Sequence, residues 1–363
     1  MFKKIIMVLV LLPLLIFTAV GCQSSGGSSD KGKVEASDQP VNGDLSPLKK
    51  PVTVKIAEDG SASGAGFYIA KDKGFFKHYN INVKFVKFSN SDDMLPALAA
   101  GKIDVAGGIS SASFFNSIAQ GIDVKMIADK GHNLKGQSYF SFVIRKDLQD
   151  KIKSYKDFKG KRIAVSTKNG VDDYIFQQML DHAGLKRKDV KFELMSDFGN
   201  MLAAMQSKSI DAALQIEPLI TKGESSGIHV RFGDATDYAP KAQIAMVLAS
   251  PDFVKNDNSV ALRFMMAYLK GVRAYNDAFL KGKGDKQEII KIMENHTALK
   301  DDAIWDKVGV TGLDPDGKMF VNNIKDQYEW YKSRGGIEGK VDLGKAVDTK
   351  LAEKAVKILG EYK

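Results

Sequence analysis

The chain has 363 residues, 53 basic and 44 acidic side chains, a formal net charge of +9 and one cysteine. A single cysteine permits no internal disulfide, so the fold must be held by its core, and the length suggests about two domains. Charges of both signs are interspersed without a block of five or more like charges, which argues against a dedicated nucleic-acid surface.

The chain opens on Lys3 and Lys4, then an apolar run from Ile5 to Phe17 interrupted only by Pro13, then Ala19, Val20, Gly21 and Cys22. A charged head, an apolar core of roughly 7–15 residues and a small-residue exit describe an export signal over residues 1–21. The run is too short for the roughly 20 residues of a spanning helix. The small-residue site ending on Cys22 resembles the lipobox of bacterial lipoproteins, with Ala19 where leucine is usual. That resemblance implies lipidation of Cys22 and a protein held on the extracytoplasmic face of the cell membrane. Removing residues 1–21 takes away two lysines and no acid, so the net charge falls from +9 to +7.

Residues 22–50 are rich in Ser, Gly, Asp and Lys and read as a flexible tether, with folding expected from Pro51. Beyond it, short apolar runs alternate with helical patterns. Val52–Ala57, Ile81–Phe88, Asp104–Gly107 and Val124–Asp129 read as strands. Phe67–Lys77, Ser91–Ala100 and Ser111–Gln120 read as the helices between them. Such alternation implies right-handed crossovers and a largely parallel sheet.

The same order recurs at an offset of 107. Ile56-Ala57 falls on Ile163-Ala164, Val83-Lys84-Phe85 on Val190-Lys191-Phe192, and Ile103-Asp104 on Ile210-Asp211. A constant register through three strands and a helix predicts two similarly folded α/β lobes. Ser138–Arg145 and Gln243–Ser250 are strand-like and suit a pair of hinge segments. The expected division is residues 51–145 and 246–363 for one lobe and 146–245 for the other. After Pro251 the pattern is helical, over Ser259–Leu280, Lys286–Glu294, Asp301–Val308, Met319–Ser333 and Thr349–Leu359.

Ligands of open parallel sheets bind beyond the carboxyl ends of the strands, where helix starts offer unpaired N–H groups. Four small-residue corners occupy such positions: Glu58–Gly66, Gly107–Ser111, Ser166–Gly170 and Gln215–Pro218. Each alone is an ordinary turn or cap. Four converging from two lobes predict a cleft. Enzymatic patterns are poor. Gly108-Ile109-Ser110-Ser111-Ala112 lacks the last glycine of a nucleophile elbow, the five histidines form no i, i+4 pair, and no P-loop is present. His132 is expected on an exposed turn.

The run Gly66-Phe67-Tyr68-Ile69-Ala70-Lys71-Asp72-Lys73-Gly74-Phe75-Phe76 resembles the first-helix signature of the binding proteins that serve nitrate, taurine, alkanesulfonate and thiamine-pyrimidine importers of the ATP-binding-cassette (ABC) type. Leu98–Ala106, Gly160–Val165, the Glu217-Pro218 turn and Val341–Asp348 are similar too. The resemblance covers residues 52–360. It implies a type II periplasmic-binding-protein fold, two doubly wound α/β lobes joined by two hinge strands with a helical C-terminal part. It also implies a monomeric, non-enzymatic receptor without cofactor or metal, which delivers a small solute to an ABC permease and its ATPase. Carried over by position, the ligand loops fall on Ser61, Ala62, Ser63, Gly64, Ser110, Ser111, Thr167, Lys168, Asn169, Gly170 and Glu217, with Phe67 beside them. A sulfonate, taurine or nitrate-like solute is the first expectation. Against it stand Ile216 where many sulfonate binders carry tryptophan, the absence of arginine from all four loops, and the acids Glu58, Asp59, Asp172, Asp173 and Glu217. An aminopyrimidine or other nitrogenous heterocycle is therefore the alternative, with Glu217 facing the cleft to receive its N–H groups; beside a bound anion Glu217 is expected to be turned away or paired with Lys168. Tyr68 is expected on the helix surface. An enzyme on the same scaffold is a third option.

Overall fold

The computed structural model describes residues 43–89, 91–255 and 258–363. The expected signal, Cys22 and most of the expected tether lie outside the described residues. Among the described residues no helix is long and apolar enough to cross a membrane. The folded body takes in residues 43–50, earlier than Pro51. Leu45 and Leu48 are buried in the core, the Leu48 N–H donates to the Tyr79 carbonyl at 3.2 Å, and Asp44 pairs with Lys270 at 2.9 Å. Two leucines inside a polar stretch were the signal for this.

Among the described residues ten strands run in chain order: β1 (Val52–Glu58), β2 (Ile81–Lys87), β3 (Val105–Ile109), β4 (Lys125–His132), β5 (Phe140–Arg145), β6 (Arg162–Val165), β7 (Lys191–Leu194), β8 (Ala212–Ile216), β9 (His229–Asp234) and β10 (Gln243–Ala249). They form two five-stranded sheets, ordered β2-β1-β3-β10-β4 and β7-β6-β8-β5-β9. In each, three parallel strands are followed by an antiparallel strand delivered from the other half. The lobe boundaries read from sequence therefore shift. β5, assigned to the first lobe, pairs with β8 and β9 in the second sheet. The links between the sheets are residues 133–139 and 235–242. Strand propensity alone could not say which sheet each strand joins, because pairing partners are set by tertiary contacts.

The offset of 107 is carried into the pairing itself. Ile56 lies opposite Phe85 and Val105, and their counterparts Ile163, Phe192 and Ala212 pair in the same way. Asp104 accepts the Lys55 N–H at 2.8 Å, and Asp211 accepts the Arg162 N–H at 2.8 Å. Even the left-handed corner recurs, with Gly101 at φ 63° and Lys208 at φ 62°. The halves are structural repeats.

Alternate residues of β1 feed opposite faces of the first sheet, as the two-residue period of a strand requires. Val54 and Ile56 join a core with Phe67, Phe264 and Tyr268, while Ala57 joins a second with Phe115, Ile324 and Tyr331. The long helix Ser259–Phe279 buries its apolar stripe on the first of these cores. A third core fills the second half. The helix expected over Phe67–Lys77 is two, Ala65–Asp72 and Phe75–His78, because Gly74 sits at φ 77° between them. Glycine adopts that conformation without steric cost.

Candidate functional site

The four predicted corners meet in two pairs across the gap between the sheets. After β1, the Ala62 N–H donates to the Glu217 carbonyl at 3.1 Å. After β3, the Ser110 carbonyl accepts the Val171 N–H at 3.1 Å and the Ala112 N–H donates to the Asn169 carbonyl at 2.9 Å. Ser110 and Glu217 are equivalent positions at the offset of 107, so the two pairs are related by the internal repeat. The described form is closed. Ser61, Ala62, Ser63, Gly64, Ser110, Ser111, Gly170 and Glu217 are all buried, Thr167 and Asn169 are half-buried, and Lys168 is exposed.

At the second pair the loops are joined backbone to backbone. The Ser111 hydroxyl caps its helix by accepting the Phe114 N–H at 3.1 Å, and Asn169 at φ 54° shapes the facing turn. Asp172 and Asp173 lie at the start of the Val171–His182 helix and are structural. Asp172 accepts the Ser166 N–H, while Asp173 accepts the Asn169 N–H at 3.0 Å and pairs with Arg187 at 2.6 Å. Burial pushes the Asp172 carboxyl up to about 6.

At the first pair space remains. A cavity of about 210 Å³ lies between the sheets, bounded by Asp59, Ser61, Lys87 and Phe88 on one side and Asp197, Phe198, Ile216 and Glu217 on the other. A second, of about 260 Å³, shares the Asp59–Gly60 wall and continues beside Glu58, Tyr68, Phe85 and His296. The walls combine carboxylates with aromatic rings. Tyr68 and His296 stack at 4.7 Å, and Phe85 meets each edge-on at 5.4 Å.

Several sequence expectations need correction. Phe67 faces the core, its ring 4.7 Å from Tyr268 and 6.1 Å from Phe264. Successive helical residues point about 100° apart, so Tyr68, expected at the surface, is the ring that faces the cavity. It is buried and donates to Glu58 at 3.0 Å. His132 is also buried, its Nδ1 3.1 Å from Asp129 in a polar cluster on β4. Glu217 pairs with Arg231 at 2.6 Å rather than with Lys168, and also accepts the Thr221 N–H at 3.1 Å, the Thr221 hydroxyl at 2.9 Å and the Gly309 N–H at 2.9 Å. Gly309 lies between Trp305 and Leu313, which belong to the core of the first sheet. The Glu217 side chain is thus a clasp between the halves.

The group that sequence reasoning missed is Lys130. It lies on β4 with 1 % of its side chain exposed, donates to the Ser63 hydroxyl at 2.9 Å and sits 3.4 Å from Glu58. To reach Glu58 it crosses Gly107 on β3, where a Cβ would lie 2.6 Å from Lys130 Cδ. Burial pushes the Glu58 carboxyl up to about 7, against the pull of Lys130. Burial pulls Lys130 down, but the Glu58 and Asp59 carboxylates outweigh it and leave the ammonium held in its charged form. Asp129-Lys130 directly after the apolar run Met126–Ala128 was the available signal, since charges are rarely buried without a partner.

The model of the NMT1/THI5-like family matches residues 61–277, more than half of the chain. The chain belongs to that family. A Haemophilus influenzae protein provisionally named for thiamine biosynthesis is 28 % identical over 168 residues, 46 % of this chain and 50 % of its own length. YtlA of Bacillus subtilis, provisionally named a binding protein, is 26 % identical over 222 residues, 60 % of this chain and 64 % of YtlA. The chain thus matches half to under two thirds of these relatives' lengths. Among solved structures, the ligand-binding component of an ABC-type import system from Staphylococcus aureus, with zinc bound, superposes with a TM-score of 0.69. Its identity is 17 %, covering 84 % of this chain and 98 % of that one. The alkanesulfonate-binding protein SsuA of Xanthomonas axonopodis pv. citri, bound to MOPS, gives 0.65 at 16 % identity, covering 83 % and 99 %. The fold of this NMT1/THI5-like protein is that of the periplasmic binding proteins, two α/β halves with a helical C-terminal part.

Proposed function

We propose that the protein is the extracytoplasmic solute receptor of an ABC importer, and that its halves close over a small nitrogenous heterocycle of the aminopyrimidine kind. The observation that carries this reading is the wall of the cavity between the sheets. Asp59 and Asp197 face it with Lys87, while the charge of Glu217 is matched by Arg231. Carboxylates accept N–H groups and repel oxyanions. Phe88, Phe198, Tyr68 and His296 supply flat faces for a ring. The two cavities together fall in the range of a few hundred Å³ usual for small-molecule sites. The relative named for thiamine biosynthesis supports the same solute class.

A sulfonate or taurine is the second reading. It is favoured by the donors Ser61, Ser63 and Lys130 and by the MOPS-bound fold neighbour. A thermal-shift screen of 4-aminopyrimidines, alkanesulfonates, taurine and nitrate separates the two. A ligand at 100 times its dissociation constant stabilises by about 2.7 kcal/mol, which raises the melting temperature by several degrees. The aminopyrimidines are expected to give that rise and nitrate none. A rise with sulfonates alone would favour the second reading. Mass spectrometry of the recovered solute tests the receptor role, which requires an unaltered molecule; a transformed one would make the protein an enzyme.

The Cys22 motif supports anchoring by lipid on the outer face of the membrane. Cells fed a labelled fatty acid should label the wild-type chain, and the Cys22→Ala chain should carry no label. Equal labelling of both would end the anchor proposal.

A further inference from the structure

His132 and Gln243 stand where both links leave the first sheet. β4 ends on His132, β10 begins on Gln243, and the two lie opposite each other in the ladder. Asp129 ties them together. Its Oδ1 accepts Gln243 Nε2 at 2.6 Å and the Gly131 N–H at 3.2 Å, and its Oδ2 accepts the Asp314 N–H at 2.8 Å and lies 3.1 Å from His132 Nδ1. The stretch of chain that brings Asp314 also reaches the other half. The His132 N–H donates to the Gly312 carbonyl at 3.0 Å, the Thr311 N–H to the Tyr275 hydroxyl at 3.1 Å, and the Gly309 N–H crosses to Glu217 at 2.9 Å. Residues 309–314 thus run from the root of the links to the Glu217 clasp. They lie against β4 at backbone contact, since a Cβ on Gly312 would sit 2.5 Å from the His132 carbonyl oxygen.

His132 is buried. Among the described residues its Nε2 has no hydrogen-bond partner, and the Phe320 ring meets the imidazole edge-on at 5.2 Å. The charged groups that act on it are Asp129 from its own strand and Asp314 from the 309–314 segment. β10 presents the neutral amide of Gln243. The Tyr268 hydroxyl from the Ser259–Phe279 helix donates to the Asp129 carbonyl at 2.8 Å, and burial holds its phenol protonated. Burial pulls the His132 imidazole down, but the two carboxyl groups outweigh it and lift it above its usual value. Burial and Asp129 push the Asp314 carboxyl up, and His132 pulls it back.

We infer that His132 is a proton-operated catch at the root of the links, and that the halves hold their closed form more tightly with its imidazole charged than with it neutral. This goes beyond the solute reading and does not depend on it. A charged imidazole compensates two acids at once. Without that charge Asp129 and Asp314 repel each other, and the 309–314 segment loosens with Gly309 on it. A group lifted above its unfolded value lends stability that is fully present below about pH 6.5 and is lost as pH rises through the folded value. Closure therefore weakens as pH rises past neutral.

Amide hydrogen exchange of the solute-free mature chain tests this. The quantity read is the protection of the Gly309 N–H relative to an amide of β6, corrected for the intrinsic pH dependence of exchange. In the wild type the ratio should fall roughly threefold or more between about pH 6 and pH 8.5, with the midpoint of the His132 titration followed by carbon-13 NMR. His132→Gln, which carries no charge at any pH, should hold the low ratio throughout. Asp314→Asn removes one of the two acids and should move the midpoint to lower pH; it serves if the glutamine variant unfolds. A flat ratio in the wild type, a fall as steep in His132→Gln, or an unmoved midpoint in Asp314→Asn overturns the inference. A loss of protection shared equally by β6 leaves the ratio flat and counts as the same failure.

Discussion

Arg231→Met is expected to lower stability by about 3 kcal/mol and to weaken binding of every solute regardless of its charge. Glu217 is 1 % exposed and, among the described residues, its carboxylate is paired with one cation, Arg231, at 2.6 Å. Removing one partner of a buried pair costs about 3–5 kcal/mol because the other charge stays buried. Arg231 is 34 % exposed, so solvent screening places the effect at the low end of that range. Thr221 and Gly309 still donate to Glu217 but bring no charge. Because Gly309 packs with the first half, the loss falls on closure as well as folding. Urea unfolding measures the first effect as a lower midpoint at constant slope. Adding Glu217→Met to Arg231→Met should recover part of it, since the stranded charge is gone. By the same reasoning Glu217→Gln should weaken sulfonates and aminopyrimidines alike. A selective loss of aminated solutes would mean that Glu217 touches the ligand directly.

Gly271→Ala is expected to cost about 2 kcal/mol. The Ser259–Phe279 and Ala65–Asp72 helices cross here at backbone contact. A Cβ on Gly271 would lie far inside van der Waals contact with the Gly66 carbonyl oxygen and 3.0 Å from Ala70 N. Gly66 is equally constrained, its Cβ position lying 2.5 Å from Tyr268 Cε2 and 2.6 Å from Val272 Cγ2. Backbone atoms cannot rotate away as a side-chain tip can, so the helices must part. Overpacking of this kind costs about 1–3 kcal/mol and sometimes more, offset by up to about 1 kcal/mol of helix propensity. Tyr68 rides on the displaced helix, so solute affinity should fall together with the melting temperature. A variant of wild-type stability would show that the crossing has slack.

Most of the strands, the repeat and the two-sheet plan were legible because each rests on local periodicity. The offset of 107 found in Ile56, Phe85 and Asp104 reappears as shared pairing register. What was hidden depends on distant partners. Arg231 lies 14 residues from Glu217 and Lys130 lies 72 from Glu58, so neither ion pair had a local spacing to betray it. Phe67 and Tyr68 exchanged expected roles because two aromatic neighbours on a helix differ only in azimuth, which the Ser259–Phe279 helix decides. His132 read as a turn residue because β4 was expected to end at Asp129, whereas pairing with Gln243 extends the strand to His132.

The central claim is that the halves close over a solute bearing N–H groups, and calorimetric titration of the mature chain with 4-aminopyrimidine tests it most directly. The account predicts saturable one-site binding that Asp59→Asn weakens at least tenfold. Saturable binding of an alkanesulfonate, with no heat from the aminopyrimidine and no effect of Asp59→Asn, would contradict it.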